Sequence, residues 1–261
     1  MAVYKRNKLR TAAEIIRKIK NWPTALKLRL CRNEPGLRLL EFRDGLYVNV
    51  RGGTRDWDVV HELFFAGGYA KAMEWLKGRE EKKPRILDLG GNIGLFSLLV
   101  ARTHSGALVT AYEPGPPNFR IFRMNILANG GLSERITLHE QAVAGAAGEA
   151  IWHFDAANPG GSSLYTTEGK GEEVKVSITA FAQVVEEQEG EIALAKIDIE
   201  GAEYALLAQT PAAAWKRIQA VALELHGDPE GKKTQDQFLQ EMKMLGFLIE
   251  QESVCSYFLH R

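Results

Sequence analysis

Residues 86–96 constrain the fold most. They run from a short apolar stretch through Gly90, Gly91 and Gly94 into a second apolar segment that continues to Ala101. A buried strand, a glycine-rich turn and an apolar helix in that order open a β-α unit, because glycine lets the backbone approach its neighbours closely and lets the helix pack onto the strand. Further short apolar runs at 108–112, 136–138, 192–199 and 218–225 alternate with helix-length segments. Such alternation requires an α/β fold with a mainly parallel sheet and right-handed crossovers. Residues 151–178 break the rhythm with two strand-like runs around Pro159, Gly160, Gly161, Ser162 and Ser163, which predicts an inserted hairpin or lid. The runs 247–250 and 254–259 predict an antiparallel pair at one sheet edge.

The chain before Arg85 reads differently. Thr11 and Glu14 have capping-box spacing, and Ile15, Ile16 and Ile19 recur at helical intervals until Trp22-Pro23; a short basic amphipathic helix is expected from Thr11. Alternating apolar residues on either side of Arg43-Asp44-Gly45 predict a hairpin, and residues 57–76 predict a helical stretch broken at Gly67-Gly68. With Lys82-Lys83-Pro84 as the junction, residues 1–82 are expected to form a basic helical/hairpin extension and residues 83–261 the main domain. Residues 1–43 carry a net charge of +9 within a chain that is neutral overall. That head suits a solvated face or an anionic partner such as a carrier, whereas neutrality of the whole speaks against nucleic acid. Oligomeric state is not legible.

No apolar run reaches the length that a bilayer-spanning helix needs, and the basic first ten residues lead into no leader-like apolar stretch. Cys31 and Cys255 are the two cysteines, too few and too far apart for a disulfide framework. A cytoplasmic location is expected.

The glycine turn departs from a dinucleotide fingerprint, because Asn92 takes the place of the second glycine and Asp88 brings a carboxylate where a pyrophosphate would rest. A carboxylate there suits a ligand with an ammonium group and no phosphate, and S-adenosylmethionine is such a ligand. Glu113-Pro114 ends the second strand nineteen residues past Gly94, where an acidic side chain can accept hydrogen bonds from both ribose hydroxyls.

Taken together, the strings 86–99 (ILDLGGNIGLFSLL), 112–130 (YEPGPPNFRIFRMNILANG), 194–207 (LAKIDIEGAEYALL) and 222–226 (ALELH) resemble the FkbM-type S-adenosylmethionine-dependent methyltransferases. The likeness extends over residues 59–226, and KIDIEGAE is its most distinctive part. It implies a class I methyltransferase, Rossmann-like sheet and methyl transfer, most often to a hydroxyl of a sugar, glycan or natural product. By position it implies cofactor contacts from Asp88, Gly90, Gly91, Asn92, Gly94, Glu113, Pro114, Gln141, Ala142 and Asp198. It also places Tyr69, Ser162, Ser163 and Glu200 near cofactor or acceptor. One departure is the stretch 178–181 (ITAF), where the family usually carries a Leu-Asp pair before the helix leading to the fourth strand.

Ligands in open α/β sheets bind beyond the carboxyl ends of the strands, so Asp198 and Glu200 are expected at the reactive end, with Glu224 and His226 beside them. An alcohol acceptor must lose a proton as it is methylated, and Asp198, Glu200 and His226 are the candidates to take it. The same three side chains could hold a divalent ion, but the base reading ranks first and no metal is expected. Two rival functions keep the fold: a nucleotide-dependent oxidoreductase, against which Asp88 and Asn92 speak, and an inactive scaffold that docks a carrier through its basic head.

Overall fold

The computed structural model describes residues 8–154 and 172–261. Helices α1 (Lys8–Lys18) and α2 (Trp22–Leu30) precede a hairpin of β1 (Gly36–Glu41) and β2 (Tyr47–Gly52). Leu40 pairs with Val48 across its antiparallel ladder. Thr11 does not start the first helix: α1 already runs from Lys8, and Thr11 is buried within it. Pro23 stands in the first turn of α2, where its missing N–H costs nothing.

Helix α3 (Asp56–His61) widens into a π-helical turn (Glu62–Ala66) that ends at Gly67, followed by α4 (Ala70–Lys77). The expected break at Gly67-Gly68 is therefore observed.

The main sheet begins with β3 (Arg85–Leu89), α5 (Leu95–Thr103), β4 (Leu108–Tyr112), α6 (Pro116–Ala128) and β5 (Ile136–His139). It resumes at β9 (Leu194–Ile197), after β6 (Ala142–Ala144), β7 (Gly148–Phe154), β8 (Glu172–Ala180) and α7 (Phe181–Glu186). The chain closes with α8 (Glu203–Gln209), α9 (Ala212–Trp215), β10 (Ala220–Glu224), α10 (Gln235–Met244), β11 (Leu248–Gln251) and β12 (Ser256–His260). A capping box that the sequence reading missed starts α10, where Thr234 and Gln237 bond each other's backbone N–H.

Sheet order is β11-β12-β10-β9-β3-β4-β5, and β12 alone runs against its neighbours. This is a mainly parallel, Rossmann-like sheet of the class I methyltransferase kind. The predicted C-terminal antiparallel pair is present, with β11 at the edge. Strands β6, β8 and β7 make a separate small sheet in which β7 and β8 pair antiparallel from Gly148–Ile178 to Phe154–Glu172, the two strands expected of the inserted hairpin; Ser162 and Ser163 lie outside the described residues.

The central strands β3, β9 and β10 are buried on both faces, while the edge strands β5 and β11 are partly exposed. On one face Leu87, Leu89, Ala195, Ile197 and Val221 pack with Phe181, Leu206, Trp215 and Phe238. On the other, Ile86, Val109 and Ala111 share one cluster with Phe96, Phe122 and the extension's Ile15, Ile19, Leu40 and Val48. The extension thus finishes the core instead of hanging from it. Among the described residues no helix is long and apolar enough to cross a membrane.

Candidate active site

Chain order reverses between β3 and β9, which lie side by side with Asp88 opposite Lys196 and Leu89 opposite Ile197. A crevice must open where crossovers leave in opposite directions. The turn after β3 and the loop after β9 therefore face each other across it. Contact is close: Gly90 has φ +76°, and a Cβ there would stand 1.8 Å from the Asp198 carbonyl oxygen. Only glycine fits that position. Gly94, at φ +86°, packs against the Phe122 ring and begins α5.

Two cavities occupy the crevice. The first holds about 500 Å³ of open space and is lined by Gly90, Asn92, Glu113, Pro114, Gln141 and Ala142, together with Asn118 and Trp152. Its described lining includes the carboxylates Glu113, Asp198 and Glu200 and no lysine, arginine or histidine. The second, about 1120 Å³, is walled by Glu62, Tyr69, Gly91, Lys196 and Glu224. Asn92, Asp198 and Glu200 belong to both. Among the described residues the non-glycine side chains with positive φ are Tyr69, Asn92 and Glu200, and all three line the larger cavity. Such backbone costs about 1–3 kcal/mol apiece and clusters where function holds it in place.

Glu113 is almost fully buried; it accepts from the backbone N–H of Asn92 at 2.7 Å and of Gly115 at 2.8 Å, and from Asn118 Nδ2 at 3.3 Å. Burial nonetheless pushes its carboxyl up to about 7. Two buried polar atoms on the same wall, Asn92 Oδ1 and Trp152 Nε1, have no hydrogen-bond partner among the described residues.

Asp88 stands behind the wall. It is wholly buried, accepts from Ser97 Oγ at 2.6 Å, lies 3.8 Å from Lys196 Nζ, and lines neither cavity. The ammonium that the sequence reading assigned to a ligand is here supplied by Lys196. That buried lysine also reaches Asp198 at 3.1 Å and donates to the Gly90 carbonyl at 2.6 Å. Burial works against its charge, but Asp198 and Asp88 outweigh it and raise its pKa.

The structure does bring Asp198, Glu200 and His226 together, with one ligating atom from each within 4.8 Å of the others, a spacing that would admit a cation. His226 lines neither cavity. Its Nε2 stands 3.4 Å from Glu200 Oε2 and its Nδ1 3.0 Å from Glu203 Oε1. Burial and Asp198 push Glu200 up to about 8, while Asp198 and burial push Glu224 up to about 7. For His226 burial opposes charging, but Glu203 and Glu200 prevail and lift it to about 9.

Of the remaining expected contacts, Pro114, Gln141, Ala142, Gly91 and Tyr69 line a cavity, whereas Gly94 shapes the turn from behind. Lys196, Glu203, Glu62 and Asn118 escaped the sequence reading. Lys196 and Glu203 stand inside KIDIEGAE beside Asp198 and Glu200, a density of charge that a buried strand-to-helix passage holds only with partners; Glu62 and Asn118 carried no signal.

These shifts fix how stability depends on pH. Glu113, Glu200 and Glu224 rise from an ordinary 4.5, and His226 from 6.5. From about pH 5 to 9 the folded chain therefore binds more protons than the unfolded one, and stability falls as pH rises. The Tm of the ligand-free protein is expected to drop by several degrees from pH 6 to pH 9. A flat or rising Tm in calorimetric scans across that range contradicts the assigned shifts.

The family model described as "Methyltransferase FkbM domain" matches residues 88–249. "31-O-demethyl-FK506 methyltransferase FkbM" of Streptomyces tacrolimicus is 30% identical over 168 residues, 54% of this chain and 65% of that protein. The chain thus spans just under two thirds of that relative. "Methyltransferase sdnD" of Sordaria araneosa is 28% identical over 190 residues, 61% of this chain and 73% of its own. Among solved structures, the METTL16 MTase domain superposes with a TM-score of 0.50 at 12% identity, covering 98% of this chain and 94% of that one, a likeness of fold.

Proposed function

The chain belongs to the FkbM methyltransferase family, and on that premise we propose that it moves the methyl group of S-adenosylmethionine to a hydroxyl of a sugar, glycan or natural product. The observation that carries this reading is the meeting of the two cavities at Asn92, Asp198 and Glu200. One cavity suits a phosphate-free adenosine group, the other leaves room for an acceptor, and carboxylates stand at the junction.

The residues present fit that cofactor. Glu113 keeps one lone pair, on the oxygen that accepts from Asn92, for a ribose hydroxyl, and the unpartnered Asn92 Oδ1 and Trp152 Nε1 offer an acceptor and a donor to the adenosine end. Gln141 and Ala142 stand on the same wall. The absence of a cation from the described lining of this cavity disfavours a pyrophosphate. S-adenosylmethionine, when bound, supplies an electrophilic methyl carbon on a positively charged sulfur.

Protein chemistry at the junction is positioning and proton removal. The acceptor oxygen must lie in line with the methyl group, water must be kept out, and the hydroxyl proton must leave as the new C–O bond forms. Glu200 faces both cavities and takes that proton on its carboxylate; His226 steadies it from behind; Asp198, held by Lys196, would offer negative charge at the junction to a cationic cofactor. One relative is named for an O-demethylated acceptor, which supports oxygen as the receiving atom. A carrier could present the acceptor, with the basic N-terminal head as its contact, and the cytoplasm is the proposed site of action.

Calorimetric titration with S-adenosylhomocysteine tests the cofactor. Binding with a Kd in the micromolar range is expected, together with a rise in Tm that follows ligand concentration. No uptake, or stabilisation by NADH in its place, overturns the reading.

A further inference from the structure

We infer that Glu203 is a positioning residue: its buried carboxylate fixes the tautomer and ring orientation of His226 and at the same time shapes the loop that presents Glu200. This rests on the reading of Glu200 as the group that receives the acceptor's proton.

Glu203 opens α8 and has no solvent exposure. One of its oxygens, Oε1, accepts from the Ile199 N–H at 3.1 Å; the other, Oε2, accepts from the Gly201 N–H at 3.0 Å. Ile199 and Gly201 flank Glu200, whose φ of 52° is left-handed. A bulky side chain keeps such a backbone only where its surroundings over-determine it. Two N–H groups on either side, pinned to one carboxylate, do so.

The same Oε1 faces His226 Nδ1 at 3.0 Å. An ionised carboxylate only accepts hydrogen bonds, so Nδ1 carries the proton. Nε2 is then the nitrogen turned toward Glu200 Oε2, 3.4 Å away. Carboxylate, imidazole and carboxylate stand in a line of which only the last member, Glu200, reaches the cavities. Below about pH 9 both ring nitrogens carry a proton, so Nε2–H faces the Glu200 carboxylate while Glu203 holds the ring; above that pH Nε2 is bare and can share a proton received by Glu200.

The charged groups that face His226 are Glu203 from α8, Asp198 and Glu200 from the loop after β9, and Glu224 from the end of β10. Of these, Glu203 is the fully buried one that bonds the ring. Glu203→Gln removes the anion and leaves an amide whose NH₂ can donate to a bare Nδ1, which inverts the preferred tautomer.

The test is imidazole nitrogen NMR on the full chain labelled with ¹⁵N-histidine, with His226→Gln assigning the signal. In the wild type, His226 is expected to titrate well above the ordinary 6.5 and, once neutral, to hold its proton on Nδ1. Glu203→Gln should lower the midpoint by about 1–3 units and populate the Nε2–H form. An ordinary midpoint or an Nε2–H tautomer in the wild type overturns the inference, and so does a folded Glu203→Gln protein with both unchanged. If that variant does not fold, the wild-type spectrum alone decides. Titrating the same wild-type sample with S-adenosylhomocysteine separates the two readings. Binding with a failed tautomer result sinks only the role of Glu203; no binding with the expected tautomer sinks the methyl transfer.

Discussion

Glu200→Gln is expected to slow methyl transfer by about 10²- to 10⁴-fold, the range that a positioned proton acceptor contributes, while S-adenosylhomocysteine binds within a few-fold of wild type. The glutamine amide keeps the volume and a hydrogen bond toward His226 but cannot accept the hydroxyl proton. Glu200 lies at the junction of the two cavities, in a backbone conformation that aims it there. Its carboxyl sits near 8 because burial and Asp198 oppose ionisation, which gives it more basicity than an exposed glutamate has. Transfer should therefore rise with pH through that region in the wild type. The measurement is S-adenosylhomocysteine release with a screened hydroxyl acceptor; an unchanged rate in Glu200→Gln would move the proton-accepting role to Asp198.

Lys196→Met carries the largest expected cost to stability, about 3–5 kcal/mol, as for other buried ion pairs broken from one side. The ammonium sits 3.1 Å from Asp198, 3.8 Å from Asp88 and 2.6 Å from the Gly90 carbonyl, so its removal leaves buried acceptors with no counter-charge. Asp88, already raised by burial with Lys196 pulling against that rise, would take up a proton at still higher pH. The sign for the lysine follows from its raised pKa: its contribution is full below about pH 10.5 and is lost as pH climbs beyond. Chemical denaturation at pH 7 should show the deficit. A loss below about 1 kcal/mol would mean that water replaces the ammonium. Asp88→Asn in the same background should recover part of the loss.

Much of the fold was legible because buried strands and a glycine turn leave marks that survive without tertiary information. The runs at 86–89, 108–112 and 218–225 correspond to β3, β4 and β10, and the break at Gly67-Gly68 lies where the π-helical turn ends. Thr11 misled, since capping-box spacing is a local signal and the apolar face of α1 is paid for by packing against the hairpin and the sheet. At the site, Asn92, Glu113, Asp198 and Glu200 were readable from strand ends. The inward turn of Asp88 was not. Spacing along a strand says that a carboxylate is near the crevice, but it is held inward by Ser97, which donates to it, and faces Lys196, more than a hundred residues away. Glu62 reaches the cavity through the packing of the extension on the sheet, which no local pattern encodes.

The joint between extension and sheet has a consequence for how such a chain can diversify. Val59, Glu62, Leu63 and Tyr69 wall the larger cavity from outside the segment that the family model matches, whereas Asn92, Glu113, Asp198 and Glu200 lie inside it. If the larger cavity seats the acceptor as proposed, substitutions along the π turn can recut that seat while the proposed machinery of transfer stays as it is, so that a new preference would require no new catalyst.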